Sequence, residues 1–414
     1  MKTCCFALLK QTRPALLLGL MMLASGLYGC TATSIVAQHP PHCEFGDILI
    51  DSDFPAGRVD GCRQQDNAIV LSLAPENTPI NASPWYAFKV IGPDTKTVQV
   101  VLDYSHHKHR YRPKISADGK HWTALADSSV SISKDGKRVS LRLTPSPQGV
   151  WISGQEIFDN DQYHRWYAQL MTANQVHGLR TKRLGLSIEG RPVTALDIHP
   201  QDPKRYIVLI GRQHPPEVTG ALAMVPFVER LLEDDALARD FRAAFGILMI
   251  PNLNPDGVAR GNWRHNVGGV DLNRDWGPFT QQETQLVREE LRRFESKDAP
   301  RLYLFLDFHS TWRDIFYTQT PDMPTFPPEF TRLWLNDFAA ALKPDYPDYQ
   351  FEIKPGHNPD KNTSKAYMHA QFGIPAITFE LGDDTDRVFI KEYARRAATT
   401  MMQRLLVIAE AEQS

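Results

Sequence analysis

The sequence predicts an α/β protein in which a mixed-sheet α/β/α domain is preceded by an all-β sandwich domain. Short alternating apolar runs separated by turn residues extend from about residue 40 to 154. From residue 155 to 414, strand-length apolar runs alternate with helical patterns. The 414 residues are 42% hydrophobic, which is enough to form two cores after an N-terminal segment, residues 1–30, is set aside.

The β-sandwich domain is predicted from its apolar runs and from two turn signals. The alternating runs cover residues 69–73, 85–90, 97–102 and 139–143. Asp118-Gly119 and Asp135-Gly136 are dipeptides that favour tight hairpin turns. A helical pattern at 159–173 then connects this domain to the next one.

The second domain is predicted from alternating strand and helix patterns. The strands are expected at 193–198, 206–210, 245–250, 302–308 and 376–381, and the helices at 218–232, 281–294, 329–342 and from 387 onward. A loop rich in Gly, Asn and Asp occupies residues 251–277. This alternation indicates helices packed on both faces of a mixed sheet.

Five short motifs carry the chemistry of this domain. They are HPPE (214–217), NWR (262–264), DLNRDW (271–276), DFHS (307–310) and TFEL (378–381). Two His and one Glu form a ligand set that a catalytic zinc ion accepts while it keeps one position open. His214, Glu217 and His309 supply such a set, and each lies near the end of a predicted strand, where ligands gather in open α/β sheets.

Three further charged residues suit a hydrolytic site. Glu380 is the only acid in the apolar run 375–381, and a buried Glu requires a partner or a metal, although an edge-strand Glu facing solvent is the alternative. Arg274 offers a planar guanidinium that can bind a carboxylate through two hydrogen bonds. Arg264 offers a permanent charge for a developing oxyanion.

In this order, the five motifs resemble the M14 zinc carboxypeptidase family, and most closely its cytosolic carboxypeptidase-like branch and bacterial relatives. The resemblance extends over about residues 178–410 and implies a mixed-sheet α/β/α carboxypeptidase domain. It implies that His214, Glu217 and His309 bind one Zn²⁺ per chain. Residues 83–88 also resemble the start of the strand-rich domain that precedes the catalytic domain in that branch.

The resemblance also implies roles for the remaining motif residues. Glu380 would act as general base and then general acid, and Arg264 would polarise the scissile carbonyl. Asn273 and Arg274 would hold the C-terminal carboxylate of the substrate. The sequence departs from the digestive members of the family in two ways. They carry an Arg between the His and Glu of the first motif, where Pro215 and Pro216 stand here, and no catalytic tyrosine is assigned in this sequence.

The sequence allows two alternative roles for each of two pairs of residues. Asp307 and Asp275 are either carboxylates that orient the metal ligands or ordinary ion-paired residues. Lys365, together with Lys361, lies just upstream of the catalytic strand, where it would favour an acidic terminal residue of the substrate. The alternative for both lysines is a solvated position on a loop.

The N-terminus predicts export. Basic residues at 2, 10 and 13 precede an apolar stretch, 15–27, that is too short for a membrane span. The stretch ends in Leu27-Tyr28-Gly29-Cys30, which resembles a bacterial lipobox with Cys30 as the lipidated residue. We therefore expect a periplasmic protein anchored to a bacterial membrane through Cys30, with ordinary signal cleavage and release as the alternative.

Two cysteines remain after the N-terminal segment is removed. Cys43 and Cys62 are an even pair in an exported chain, so they form either a disulfide or two free thiols. A histidine cluster, His106, His107 and His109, has no carboxylate nearby at ligand spacing and is interpreted as surface decoration.

Three functions are compatible with the sequence. The first is a metallocarboxypeptidase that acts on a peptide or murein-peptide substrate with a free C-terminal carboxylate. The second is an amidohydrolase or deacylase for acylated amino acids or murein fragments. The third is a binding protein for the cell wall or another partner on a pseudoenzyme scaffold. The net charge of −2 and the lack of a long basic run give no sign of a nucleic-acid-binding surface, and we expect no nucleic-acid partner.

Overall fold

The structure is a computed structural model that describes residues 42–173, 178–200 and 203–412. The predicted N-terminal segment with Cys30, and residues 40 and 41 of the predicted first domain, lie outside the described residues. Of the helices that are described, none combines the length and the apolar character needed to cross a membrane.

The first part of the described chain is a sandwich of two β-sheets. Its strands are β1 His42–Phe45, β2 Ile48–Asp51, β3 Gly61–Gln65, β4 Ala68–Leu73, β5 Ala87–Ile91, β6 Val98–Tyr104, β7 Lys114–Ser116, β8 Thr123–Ala124, β9 Val130–Ile132, β10 Arg138–Leu143 and β11 Val150–Ser153. One sheet has the order β1-β2-β5-β11-β7-β8 and the other β3-β4-β6-β10-β9. Alternate apolar residues of both sheets face one shared core, as in β10, where Val139, Leu141 and Leu143 are buried.

The sandwich contains both predicted Asp-Gly turns and the cysteine pair. Both Asp-Gly dipeptides lie between antiparallel neighbours, the first between β7 and β8 and the second between β9 and β10. Cys43 of β1 and Cys62 of β3 form a disulfide, with their Cα atoms 6.5 Å apart. Because β1 and β3 belong to different sheets, this bond ties the two layers together.

The second part is an eight-stranded mixed sheet covered by helices. Its strands are β12 Arg180–Leu186, β13 Pro192–Ile198, β14 Arg205–Gly211, β15 Gly246–Ile250, β16 Arg301–Thr311, β17 Ile315–Thr318, β18 Glu352–Pro355 and β19 Ala376–Gly382. The helices are α1 Asn160–Ala173, α2 Val218–Leu231, α3 Ala236–Ala244, α4 Pro255–Arg260, α5 Gln282–Leu291, α6 Phe330–Leu342, α7 Ser364–Phe372 and α8 Arg387–Ala411. The strand order is β12-β13-β15-β14-β16-β19-β17-β18, and the four central strands β15, β14, β16 and β19 run parallel.

The predicted fold class, a mixed α/β sheet preceded by a β-rich region, is confirmed. The sequence pattern did not reveal three strands of the large sheet. The strands β12 and β18 were missed because their residues are mostly exposed, and β17 was missed because it has only four residues. The pattern also did not reveal the short helices α3, α4 and α7. α4 lies inside the segment that was predicted as a loop rich in Gly, Asn and Asp.

The sandwich and the large sheet share a packed boundary. Trp263, from the loop after α4, is fully buried in the sandwich core, and Val218 at the start of α2 joins the same cluster. The backbone N–H of Ala56 donates to the carbonyl of Ala259 across this boundary, with 2.9 Å between N and O. The sandwich therefore lies against the loop that follows α4, next to the carboxyl ends of the parallel strands.

Candidate active site

The three predicted metal ligands lie together at the carboxyl ends of neighbouring strands. His214 and Glu217 lie in the turn between β14 and α2, and His309 lies near the end of β16. Helix α2 approaches β16 closely at Gly220, where a Cβ atom would lie 2.6 Å from the carbonyl oxygen of His309. Glycine at this position therefore allows Glu217, at the start of α2, to reach His309.

The geometry of this group suits a metal ion. One ligand atom from each of His214, Glu217 and His309 can be chosen so that all three lie within 4.8 Å of one another. Nδ1 of His214 is 2.8 Å from one carboxylate oxygen of Glu217, and Nδ1 of His309 is 2.6 Å from the other. Burial raises the pKa of Glu217, but the two histidines together lower it by a larger amount. The pKa of Glu217 therefore lies well below the usual range for a carboxyl group. The carboxylate is therefore ionised, as a metal ligand must be.

The opposite ring nitrogens of both histidines face aspartates. Nε2 of His214 is 2.9 Å from Oδ1 of Asp271, and Nε2 of His309 is 2.8 Å from Oδ2 of Asp307. Nδ1 of each ring faces the third candidate ligand, Glu217, so a metal bound there would take Nδ1 and leave the ring proton on Nε2, which donates to the aspartate. This arrangement of carboxylate, imidazole and metal position is common in zinc sites and fits the group well.

The structure assigns different roles to Asp307 and Asp275, between which the sequence could not decide. Asp307 is fully buried and contacts His309, whereas Asp275 accepts hydrogen bonds from Thr280 and the backbone N–H of Gln281. Asp275 therefore orders the turn before α5 and does not orient a metal ligand. Asp271 was not singled out from the sequence, although its place in the DLNRDW motif was a signal that could have identified it.

Glu380 lies across from His309 in the register of the parallel strands β16 and β19. Its Oε2 atom is buried and has no hydrogen-bond partner among the described residues. Burial, followed by the negative charge of Glu217, raises the pKa of Glu380 to about 8. Glu380 is half-buried as a residue, with one buried carboxylate oxygen beside the predicted metal ligands that is available for proton exchange.

Arg264 is held at the same end of the cavity by an ion pair. Its Nε atom donates to Oδ2 of Asp271 over 2.7 Å, and its Nη1 atom lies 3.7 Å from Oε1 of Glu217. The same Asp271 carboxylate also contacts His214, so one aspartate orients both a metal ligand and this arginine. The guanidinium retains Nη donors that line the cavity.

Asn273 and Arg274 lie in a short 3₁₀ turn, Leu272–Arg274, that faces the cavity. Oδ1 of Asn273 accepts from the backbone N–H of Ser364, which leaves its Nδ2 donors 3.4 Å from Nε2 of His309. Since that nitrogen carries a proton for Asp307, it is not an acceptor for Asn273. Arg274 donates to the carbonyl of Asn273, and its guanidinium has no carboxylate partner among the described residues.

Lys365 and Lys361 occupy different environments. Lys361 is exposed, whereas Lys365 is 5% exposed and lines the cavity. The Lys365 ammonium group donates to the carbonyls of Thr318 and His357 and contacts no carboxylate in the described part of the chain. Burial lowers the pKa of Lys365 to about 8.

The cavity has a volume of about 530 Å³, and the sandwich closes one side of it. Residues 81–83 and Arg110 of the sandwich contribute to its lining. The guanidinium of Arg110 binds both carboxylate oxygens of Asp383, just after β19, with N–O distances of 2.8 and 3.2 Å. Arg110 also lies 5.1 Å from the ring of Trp312, which is 67% exposed at the rim. The sandwich is therefore part of the wall of the site.

The histidine cluster of the sandwich lies elsewhere. His107 contacts the carbonyl of Ile80, and His109 contacts the hydroxyl of Tyr104. The cluster does not form part of a metal-ligand group in the described residues. His109 is half-buried, because it packs beside the rings of Tyr86 and Tyr104.

Comparisons with known proteins agree with this geometry. The family profile for zinc carboxypeptidase matches residues 164–399, which is more than half of the chain. An uncharacterised protein of Zymomonas mobilis is 27% identical over 58% of this chain and 62% of its own length. Cytosolic carboxypeptidase 6 of Caenorhabditis elegans is 30% identical over 35% of this chain and 33% of its own length. The chain thus spans less than two thirds of these relatives.

Two solved structures are similar in fold along most of the described chain. A metallo-carboxypeptidase from Burkholderia cenocepacia has a TM-score of 0.71 at 20% identity and covers 89% of this chain and all of that one. A metallo-carboxypeptidase from Pseudomonas aeruginosa, solved with (2-guanidinoethylmercapto)succinic acid, has a TM-score of 0.66 at 22% identity, with coverage of 87% and 99%. With the profile match and the ligand geometry, these findings show that the chain belongs to the zinc carboxypeptidase family.

Proposed function

We propose that the protein is a zinc-dependent metallocarboxypeptidase that hydrolyses the C-terminal peptide or isopeptide bond of its substrate. One observation carries the proposal. Among the described residues, Oε2 of Glu380 has no hydrogen-bond partner and lies across from the predicted metal ligand His309, and the guanidinium of Arg274 in the same cavity has no anionic partner. The first group suits proton transfer, and the second suits a substrate that ends in a carboxylate.

His214, Glu217 and His309 would hold the metal. A zinc ion in this position would lower the pKa of a bound water to near 7 and thereby supply the nucleophile. Glu380 takes a proton from the attacking water and passes it to the nitrogen of the leaving amino acid. The pKa of Glu380 is raised to about 8 in the metal-free site, and a bound dication would lower it toward neutral pH, where both halves of this transfer proceed.

The arginines act at two different points on the substrate. Arg264, held by Asp271, directs its Nη donors toward the carbonyl oxygen on which negative charge develops. Arg274 binds the terminal carboxylate together with the Nδ2 donors of Asn273. This requirement for a free carboxylate restricts cleavage to the last bond of the chain.

Lys365 supports a preference for an acidic terminal residue. Its buried ammonium group contacts only carbonyls, so an incoming carboxylate would be its first anionic partner within the described residues. The glutamate side chain has the required charge and reach.

The experiment that tests this function uses a peptide library with varied C-terminal residues, analysed by mass spectrometry. The chain is incubated with the library with and without a zinc chelator, and bound zinc is measured in parallel. We expect loss of a single terminal residue, most rapidly from peptides that end in Glu, and no loss after chelation.

Two other results would contradict the proposed carboxypeptidase function. A zinc-loaded protein that leaves every peptide intact but cleaves acylated amino acids or murein fragments would establish the amidohydrolase alternative. A protein that binds no zinc and ignores the chelator would contradict both enzymatic functions.

We also propose that the chain is exported and anchored through a lipid on Cys30. The Cys43–Cys62 disulfide supports export, since such bonds persist mainly in oxidising compartments. Labelling with radioactive palmitate in a bacterial host would test the anchor. Label on the wild-type chain and none on Cys30→Ser is the expected result, and an unlabelled wild-type chain would contradict it.

A further inference from the structure

A carboxylate of the sandwich lies against the backbone of the loop that carries Arg264. One oxygen of Glu76 accepts from the backbone N–H of Trp263 over 2.8 Å. The other accepts from the backbone N–H groups of Arg264 and His265 over 2.9 and 2.6 Å. Three successive N–H groups that converge on one point form a concave site for an anion. Here the anion is a side chain from the other domain.

The same loop is held from the sandwich at neighbouring points. Trp263 is buried in the sandwich core, and Oδ1 of Asn77 accepts from Nδ1 of His265 over 2.6 Å. Arg58 donates to Oδ1 of Asn262 over 3.2 Å. Among these contacts, only those of Glu76 involve the backbone of Arg264 itself, so Glu76 controls the position from which the Arg264 side chain extends.

From Arg264 the contacts continue to the metal group. Its Nε atom donates to Asp271, and the same carboxylate contacts Nε2 of His214. We propose that Glu76 of the β-sandwich is a positioning residue for catalysis, which fixes the backbone of Arg264 so that its guanidinium meets the carbonyl oxygen of the substrate. This inference rests on the proposed function, because it assigns the guanidinium its role in the reaction.

Removal of the negative charge would disturb this arrangement in a defined way. In Glu76→Gln, the amide nitrogen would point at one or two of the same N–H groups, which then oppose a donor and lose an acceptor. A displacement of a catalytic group by about 1 Å can cost about 10²-fold in rate. We expect kcat to fall about 10- to 100-fold by this mechanism, with little change in KM or in bound zinc.

A double-mutant cycle separates positioning from a general structural effect. In an Arg264→Gln background the guanidinium is already absent, so adding Glu76→Gln should reduce kcat by less than about threefold. The same factor in both backgrounds would show that Glu76 acts independently of Arg264 and would overturn the inference. Asp103→Asn is the matched control, because it removes another sandwich carboxylate, ion-paired with Arg63, and should leave kcat unchanged.

Amide hydrogen exchange tests the contact without turnover. In the zinc-loaded protein, Glu76→Gln should accelerate exchange at residues 263–265 relative to the wild type and to Asp103→Asn. Unchanged exchange there would also overturn the inference, since the anchoring contact would then be absent. If the wild-type chain cleaves no peptide, the proposed function fails by that result, and the exchange rates still decide whether Glu76 holds this loop.

Discussion

The active-site cavity has two regions that differ in how their charges are balanced. In the paired region, formed by His214, Glu217, His309, Asp271, Asp307 and Arg264, every carboxylate contacts a histidine or an arginine, and Arg264 contacts a carboxylate. In the open region, formed by Arg274, Lys365 and Glu380, no opposite charge is in contact within the described residues.

The difference in charge pairing between the two regions reflects the energetic cost of burying a charge. A buried charge without a partner costs several kcal/mol, so a fold tolerates it only where something else compensates for it. The paired groups hold one another and preserve the geometry of the proposed metal ligands. The open charges are available to a substrate or to water. Substitutions in the two regions should therefore fail in different ways.

The largest effect is expected for a metal ligand. His309→Ala removes one of three ligands and leaves Glu217 and Asp307 without their shared partner, so zinc binding and peptide cleavage should both fall to background. Elemental analysis and turnover of a peptide ending in Glu measure the two effects. His121→Ala, at an exposed position, should change neither one. Full activity of His309→Ala would contradict the assigned ligand set.

Glu380→Gln should separate chemistry from metal binding. The amide cannot accept the proton, so kcat should fall about 10²- to 10⁴-fold while zinc content and KM change little. In the wild type, kcat/KM should decrease as pH drops below the pKa of Glu380, because the base must be ionised. That pKa is about 8 without the charge of a metal, and a bound dication moves it downward. A variant that loses zinc in proportion to activity would contradict this separation.

The two arginines provide a direct contrast between the regions. Arg274→Gln, in the open region, should lower kcat/KM about 10²-fold for a peptide with a free C-terminus, on the scale of a lost charged hydrogen-bond pair. Arg264→Gln, in the paired region, should lower kcat by about 10²- to 10³-fold through lost oxyanion stabilisation. The ratio of rates for free and amidated peptides should collapse only in Arg274→Gln. An equal collapse in both variants would remove the distinction.

Asp307→Asn should weaken zinc binding by about 10- to 100-fold, because the residue orients His309 from behind. Asp271→Asn should do the same through His214 and should also reduce kcat, since Asp271 holds Arg264 as well. Competition with a fluorescent chelator measures the affinity. Asp275→Asn is the control, and a loss of affinity there equal to that of Asp307→Asn would contradict the placement of these carboxylates.

The paired and open regions also differ in what the sequence could reveal. The proposed metal ligands and Glu380 lie in short motifs at strand ends, where residue type and local pattern are enough to select candidates. Asp271 and Asp307 lie in the same motifs, but the choice between Asp307 and Asp275 depended on which side chain faces a histidine. That orientation follows from strand register and turn geometry, which are not local properties.

Contacts from the sandwich could not be predicted at all. Glu76 lies 187 residues before Trp263, and nothing in its neighbourhood distinguishes it from any other acid in a turn. The same is true of Arg110 and Asp383, which are 273 residues apart. Such pairs depend on how one layer packs on another, and a single sequence contains no pattern for that packing.

The smallest effect is expected at Lys365. We expect this residue to set the preference for the terminal side chain of the substrate and not the rate of the chemical step. Lys365→Met should reduce the preference for terminal Glu over terminal Leu by about tenfold, which corresponds to about 1.4 kcal/mol. Lys361→Met, at an exposed position four residues earlier, should leave the preference unchanged. Because the pKa of Lys365 is about 8, its ammonium form dominates below that pH. In kcat/KM, which reports the free enzyme, the preference should therefore fade as pH rises through 8. This dependence on pH should be absent in Lys365→Met. A preference for terminal Glu that is as large in this variant as in the wild type, or that increases with pH, would show that another group binds the terminal side chain.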